Sequence, residues 1–198
     1  LDRLRTTAQS HDRVMVLEVM GRYTGWIAVT AGVSGGGDVI LIPEIPFRLE
    51  RVCGKVAQRE REGKRFTLVV VAEGAREQGK DYVTAGSAEQ NREARLGGIG
   101  AVVAAEIQKL TGKETRVCVL GHLQRGGAPT SFDRLLCTRF GARAVQLIAE
   151  EQYGHMVALR PPDTAAVKLS DAIGRLRAVP ANGDIVQTAR ALGISFGD

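Results

Sequence analysis

The sequence predicts an α/β fold: a parallel sheet flanked by helices, followed by a C-terminal helical appendage. Three observations point to it. Short β-branched runs alternate with longer amphipathic stretches. The runs are almost continuously apolar, as strands covered by helices on both faces must be. Strand and helix then follow one another in strict succession, the order that builds a parallel layer.

Val14–Val19, Val39–Ile42, Thr67–Ala72 and Arg116–Leu120 read as the strands. Between and after them, helical patterns cover about Thr24–Val33, Leu49–Glu62, Glu89–Leu110 and Ser131–Glu150. Gly97, Gly98 and Gly100 fall inside the third pattern and mark close packing or a break, because each costs about 1 kcal/mol relative to Ala within a helix. After Pro161-Pro162 come two shorter patterns, Ser170–Ala178 and Ile185–Leu192. The expected division is therefore an α/β domain over 1–160 and a helical appendage over 161–198. No internal repeat is visible.

With 198 residues, 44% apolar and 25% charged, the composition is that of an ordinary globular domain and excludes disorder. Runs such as Leu68–Ala72 and Ala101–Ala105 fall far short of the roughly 20 apolar residues that span a bilayer, so no membrane partner is expected. The start, Leu-Asp-Arg-Leu-Arg, has neither an initiator Met nor a secretory signal, and reads as the middle of a longer polypeptide. Cys53, Cys118 and Cys137 lack Cys-x-x-Cys spacing, which argues against a disulfide framework or zinc ribbon and fits a reducing cytoplasm. Cys118, inside the apolar run Val117–Leu120, reads as a small buried hydrophobe.

The net charge is +5, and all the cationic side chains except Lys55, Lys64, Lys80, Lys109, Lys113 and Lys168 are arginine. Guanidinium forks match phosphate oxygens, so this bias is compatible with phosphate ligands; genomic base composition explains it equally well. Dispersed charge, only 5% aromatics and no nucleic-acid-binding motif argue against nucleic acid.

Ligands of open parallel sheets bind beyond the carboxyl ends of the strands. The loops there are Met20-Gly21-Arg22, Pro43-Glu44-Ile45-Pro46-Phe47, Glu73-Gly74-Ala75 and Gly121-His122-Leu123-Gln124-Arg125-Gly126-Gly127. In the last, His122 and Arg125 are flanked by glycines that let a ligand approach the backbone, and the N-terminus of the helix from Ser131 is expected to add positive potential. The alternative is a glycine-rich turn whose His and Arg satisfy carbonyls. Glu73 can accept from sugar hydroxyls or be a solvated strand-end charge. Ser34-Gly35-Gly36-Gly37-Asp38 lacks the Lys-Ser/Thr pair of a phosphate loop and reads as a turn.

Taken in order, Met20-Gly21-Arg22 after Val-Leu-Glu-Val, Leu41-Ile42-Pro43-Glu44, Glu73-Gly74, and Leu120–Gly127 with Pro129 and Asp133-Arg134 resemble the 6-phosphofructokinase family, over nearly the whole chain and in the C-terminal part of that family's subunit. The resemblance implies a Rossmann-like fold and a fructose 6-phosphate site in which Met20, Gly21 and Arg22 line the sugar phosphate, Glu73 binds sugar hydroxyls, and His122 with Arg125 holds the 6-phosphate. Arg22 matches a residue that helps to stabilise the transferring phosphoryl group. Arg13 and Arg116 match arginines that reach the same phosphate from a neighbouring subunit, which implies a dimer or tetramer.

The family's base, an Asp in a Thr-Ile-Asp type motif, and its Gly-Gly-Asp donor loop lie upstream of the matched region. ATP or pyrophosphate and most of the Mg2+ site are therefore expected outside this chain, and the chain alone is expected to be inactive. Gly25-Trp26-Ile27-Ala28 is more similar to the pyrophosphate-using and related branches. The bacterial effector site uses cations at positions matching Arg5, Glu62 and Lys64, and Glu62 argues against such regulation. The competing expectation is a non-catalytic phosphosugar-binding or oligomerising module.

Overall fold

β1 (Val14–Val19) is buried along all six residues and paired on both edges. β3 (Thr67–Ala72) lies on one side and β4 (Thr115–Val119) on the other, with Val14 opposite Thr67 and Thr115. β2 (Val39–Leu41) pairs with the outer edge of β3, so the order is β2-β3-β1-β4 and every pairing is parallel. The computed structural model describes residues 1–84 and 96–198.

Alternation along the strands sends side chains to two apolar layers. On one face Val14, Val16, Val69 and Val71 pack with Val52 and Val56 of α3 (Leu49–Arg61) and with Val103 and Ile107 of α4 (Ile99–Thr111). On the other, Leu17, Val19, Ile40 and Val70 meet Ala28 and Val29 of α2 (Trp26–Ser34) and Phe196 near the C-terminus. Met15 and Leu68 are covered by Ala8 of α1 (Asp2–His11), a helix the sequence reading did not anticipate. The 35–38 segment that follows α2 is a turn, and Asp38 at its end accepts from Leu68 N at 2.8 Å and pairs with Arg59 at 2.8 Å. Burial pushes the Asp38 carboxyl above its ordinary range, against the pull of that backbone bond and of Arg59.

The chain forms two compact units, residues 1–125 with 178–198 and residues 126–177, rather than the division at 160 expected from sequence. In the second unit α5 (Ser131–Ala149) packs on an antiparallel hairpin of β5 (His155–Arg160) and β6 (Asp163–Lys168), followed by α6 (Leu169–Ile173). The region after 160 is thus not purely helical. Its last part returns to the first unit: α7 (Asp184–Ala191) contributes buried Val186 and Ala189 beside α2, and Ser195 bridges in parallel to Val39 at the edge of β2. Glu44 fastens this return, accepting from Val179 N at 2.8 Å and from Gly25 N at 3.1 and 3.0 Å.

Two further expectations change. The described part of the third predicted helix begins at Ile99, after Gly97 and Gly98, so these glycines mark its start; residues 89–95 of the predicted span lie outside the described residues. β4, expected to be buried on both faces, is an edge strand whose Val117 and Val119 are 37% and 54% exposed, and Cys118 is half-buried against the α2 layer.

The glycines of α2 and α3 provide a contrast that can be measured. A Cβ on Gly54, inside α3, meets nothing within 4 Å, so Gly54→Ala should raise stability by about 0.5–1 kcal/mol in urea unfolding. A Cβ on Gly32 would stand 2.5 Å from Ile40 Cδ1, and Gly32→Ala should lower stability by about 1–3 kcal/mol in the same assay.

Candidate functional site

The ladder of the sheet continues past the carboxyl ends of its strands and sets the loops in register. Glu73 N donates to Val19 O at 2.9 Å, Leu120 N to Glu18 O at 3.1 Å, and Gly74 N to Gly21 O at 3.0 Å. The loops after β1 and β3 touch so closely that a Cβ on Gly74 would stand 1.9 Å from Arg22 O. Side chains tie the same segments together: Glu73 Oε1 accepts from Gly21 N at 3.3 Å, and Gln124 Oε1 from Met20 N at 2.7 Å.

These segments surround a cavity of about 340 Å³ whose lining includes Glu18, Met20, Arg22, Glu73 and His122. That volume is at the small end of the range of small-molecule sites, about 300–1,000 Å³. Four of the eight candidate residues read from the sequence therefore meet at one place. Gly21 stands behind them with its N–H held by Glu73. Arg125 is not in the lining but is exposed on the same 3₁₀ turn, Gly121–Arg125, as His122. In 3₁₀ geometry side chains three residues apart eclipse one another, so His122 and Arg125 project from one side of the turn. Arg22 also lies over the Tyr23 ring, 5.6 Å from its centroid.

The other two candidates, Arg13 and Arg116, stand at the opposite end of the sheet. Arg13 immediately precedes β1, and Arg116 is the second residue of β4. From Arg13 to Met20 the extended chain runs about 23 Å, far beyond the reach of an arginine side chain.

Two contributors were not read from the sequence. Gln124 lies within the Gly121–Gly127 loop, where nothing in the sequence signals its bond to Met20 N. Glu18, only 3% exposed, accepts from Gly98 N at 3.2 Å and Gly100 N at 2.8 Å, binding the start of α4 to β1 beneath the cavity. The signal was available: a carboxylate in the apolar run Val-Leu-Glu-Val must find buried donors.

Two further acids serve the scaffold. Glu44 faces Gly25 and Val179, so the loop after β2 spends its acid on the scaffold. The N-terminus of α5 is already capped: Thr130 Oγ1 accepts from Asp133 N at 3.2 Å and Asp133 Oδ2 from Thr130 N at 2.9 Å, and the Thr130 hydroxyl, donating to Asp133 Oδ2 at 2.7 Å, together with the Thr130 N bond holds the Asp133 carboxyl below its ordinary range. An acid stands where an anion was expected.

A larger cavity of about 730 Å³ is lined by Arg5, Glu62 and Lys64, among others. Its cations have internal partners. Arg5 Nη2 donates to Gly35 O at 2.9 Å and Gly36 O at 2.7 Å, Lys64 lies 3.8 Å from Glu62, and Arg65 lies 3.3 Å from Asp12.

A parallel α/β sheet with a cavity at its carboxyl edge, into whose partly apolar lining arginine, histidine and carboxylate are set, defines a class of small-ligand-binding proteins. Within that class the chain belongs to the phosphofructokinase family, whose model, described as "Phosphofructokinase", matches residues 1–148. It is 59% identical over 198 residues to the ATP-dependent 6-phosphofructokinase of Chloroflexus aurantiacus, covering 100% of this chain and 54% of that protein. It is 51% identical over 181 residues to the pyrophosphate–fructose 6-phosphate 1-phosphotransferase of Amycolatopsis methanolica, covering 91% of this chain and 53% of that one. Among solved structures, phosphofructokinase from Saccharomyces cerevisiae superposes with a TM-score of 0.72 at 32% identity, over 87% of this chain and 22% of that chain. The chain spans about half the length of the curated relatives it matches.

Glu18→Gln tests the floor of the cavity. A carboxamide offers one acceptor oxygen and turns its NH2 on the second backbone donor, so about 1.5–3 kcal/mol of stability should be lost. Hydrogen exchange at the Gly98 and Gly100 amides should accelerate in the same variant.

Proposed function

We propose that this chain forms the C-terminal, sugar-phosphate-binding part of a 6-phosphofructokinase subunit that transfers a phosphoryl group from ATP or pyrophosphate to the 1-hydroxyl of fructose 6-phosphate. The observation that carries this reading is the meeting of the loops after β1, β3 and β4 around one cavity, with Met20, Arg22, Glu73 and His122 in its lining. A dianionic phosphate needs several charge-assisted donors, which His122 and Arg125 supply from one side of a turn. Glu73, an acceptor, suits sugar hydroxyls. Met20 and Gly21 shape the wall, and Gly21 is kept in place by Glu73.

In the transfer the 1-hydroxyl oxygen bonds to the terminal phosphorus, the bond from that phosphorus to the donor's bridging oxygen breaks, and the hydroxyl proton leaves. Charge grows on the transferred group, and Arg22 is the cation this chain provides to balance it. The base and the donor-binding loop are assigned to the rest of the full-length subunit. The ligands of Mg2+ are assigned there too; among the described residues no group of three or more His, Cys, Asp and Glu could hold a metal ion. A cytoplasmic setting suits the substrate, and none of the described helices is long and apolar enough to cross a membrane.

Arg13 and Arg116 cannot reach the cavity of their own chain, so they are assigned to the phosphate bound by a second copy, in a dimer or tetramer. We expect the purified 198-residue chain to show no turnover with either donor, because base and donor site are elsewhere. In the full-length enzyme, His122→Ala or Arg125→Ala should weaken fructose 6-phosphate about tenfold or more and fructose much less. Equal weakening of both sugars would mean that the two residues only support the loop. Full-length Arg116→Ala and Arg125→Ala subunits, each poorly active alone at low fructose 6-phosphate because of a raised KM, should regain activity at that concentration in mixed oligomers; no recovery in demonstrably mixed oligomers would return both arginines to one chain's site.

A further inference from the structure

The two arginines at the far end of the sheet share one carboxylate. The register that sets Val14 opposite Thr115 places Arg13 beside Glu114, and Val14 N donates to Glu114 O at 3.0 Å, extending the ladder by one residue. Glu114 Oε2 lies 2.8 Å from Arg13 Nε and Oε1 lies 2.6 Å from Arg116 Nη2, so each carboxylate oxygen takes one guanidinium. Arg13 Nε is closed off from solvent, and its contact is one of charge, off the line of a hydrogen bond. The Arg116 side chain is 60% exposed. The guanidiniums, that of Arg13 first, hold the Glu114 carboxyl below its ordinary range, so it is ionised near neutrality.

This arrangement differs from the ion pairs around it. Arg65 with Asp12, at 3.3 Å, and Lys113 with Glu60, at 2.6 Å, are one-to-one pairs with no excess charge. Arg13, Glu114 and Arg116 together carry one net positive charge. Two guanidiniums side by side repel, and a carboxylate between them offsets the repulsion and fixes their separation. Because it engages one nitrogen of each fork, the other N–H groups remain for a second anion, and a guanidinium has five in a rigid plane. The cost of ordering two long side chains is then met before the anion arrives.

Resting on the function proposed above, we infer that Glu114 is a positioning residue: it spaces Arg13 and Arg116 so that they meet, as one preformed cation, the sugar phosphate held by His122 and Arg125 of a second copy. It does not touch the substrate.

The test is steady-state kinetics of the full-length enzyme carrying Glu114→Gln or Glu114→Ala, alone and combined with Arg13→Ala/Arg116→Ala. Either Glu114 substitution alone should raise KM for fructose 6-phosphate about five- to tenfold while kcat changes less than about twofold. In the arginine-free background the same substitution should change KM by less than about twofold, since Glu114 acts through the arginines. An unchanged or lowered KM would overturn the proposal, the latter by making Glu114 a competitor of the phosphate. Equal effects in both backgrounds, or loss of assembly in both Glu114 variants by sedimentation, would make its role merely structural and overturn it too. The outcomes separate from failure of the underlying reading: if Arg13→Ala/Arg116→Ala leaves KM unchanged, that reading falls; if it raises KM and Glu114→Gln does not, only the role of Glu114 falls.

Discussion

Six consecutive residues of β1 are shut off from water on both faces, so their backbone groups depend on β3 and β4. Much else follows from that double pairing. The ladder cannot slip by one residue without turning Val14 and Val16 out of one apolar layer and Leu17 and Val19 out of the other. The register that results is carried past the strands, where Glu73 N and Leu120 N continue it on Val19 O and Glu18 O. The cavity's position and the spacing of its walls are therefore inherited from the sheet. Glu18, at the end of the same strand, adds the start of α4 to this rigid frame.

A parallel sheet also separates its chemistry by direction. Residues that precede strands gather at one end and residues that follow them at the other, whatever their order in the chain. Met20, Glu73 and His122 belong to the second group, Arg13 and Glu114 to the first. Helices and strands offer no way to fold the first group over onto the second. Under the function proposed here, a ligand needing both must lie between two molecules, and assembly becomes part of binding.

The parts of the fold legible in the sequence were those with strong contrast between apolar and polar positions. The spans Val14–Val19 and Thr67–Ala72 coincide with β1 and β3, because a run that is β-branched or apolar at all six positions, or at every one but Glu18, leaves few other structures. α1 was invisible because Asp-Arg-Leu-Arg-Thr-Thr-Ala-Gln-Ser-His has only Leu4 and Ala8 to mark a face, and only Ala8 is buried. The β5–β6 hairpin, half-exposed along most of its length, lacks the alternation that would announce it. At the site, which loops converge could be argued from the topology of parallel sheets, whereas individual roles came from the family resemblance. Glu44 shows the limit of local reading: nothing near it in sequence foretold that its partners would be Gly25 and Val179.

That last contact joins residues 135 positions apart and has a bearing on synthesis. Val179, Val186, Ala189, Ile194 and Phe196 complete an apolar layer begun by Leu17 and Val19, while residues 126–177 form their own unit in between. A nascent chain can assemble the intervening hairpin and α5 from neighbours in sequence, but must leave the α2 side of the sheet open until residues 179–196 are made. Of the two units, the one whose synthesis starts earlier is thus the later to be finished, and in the interval its exposed valines and isoleucines are the surface that a holding chaperone would meet.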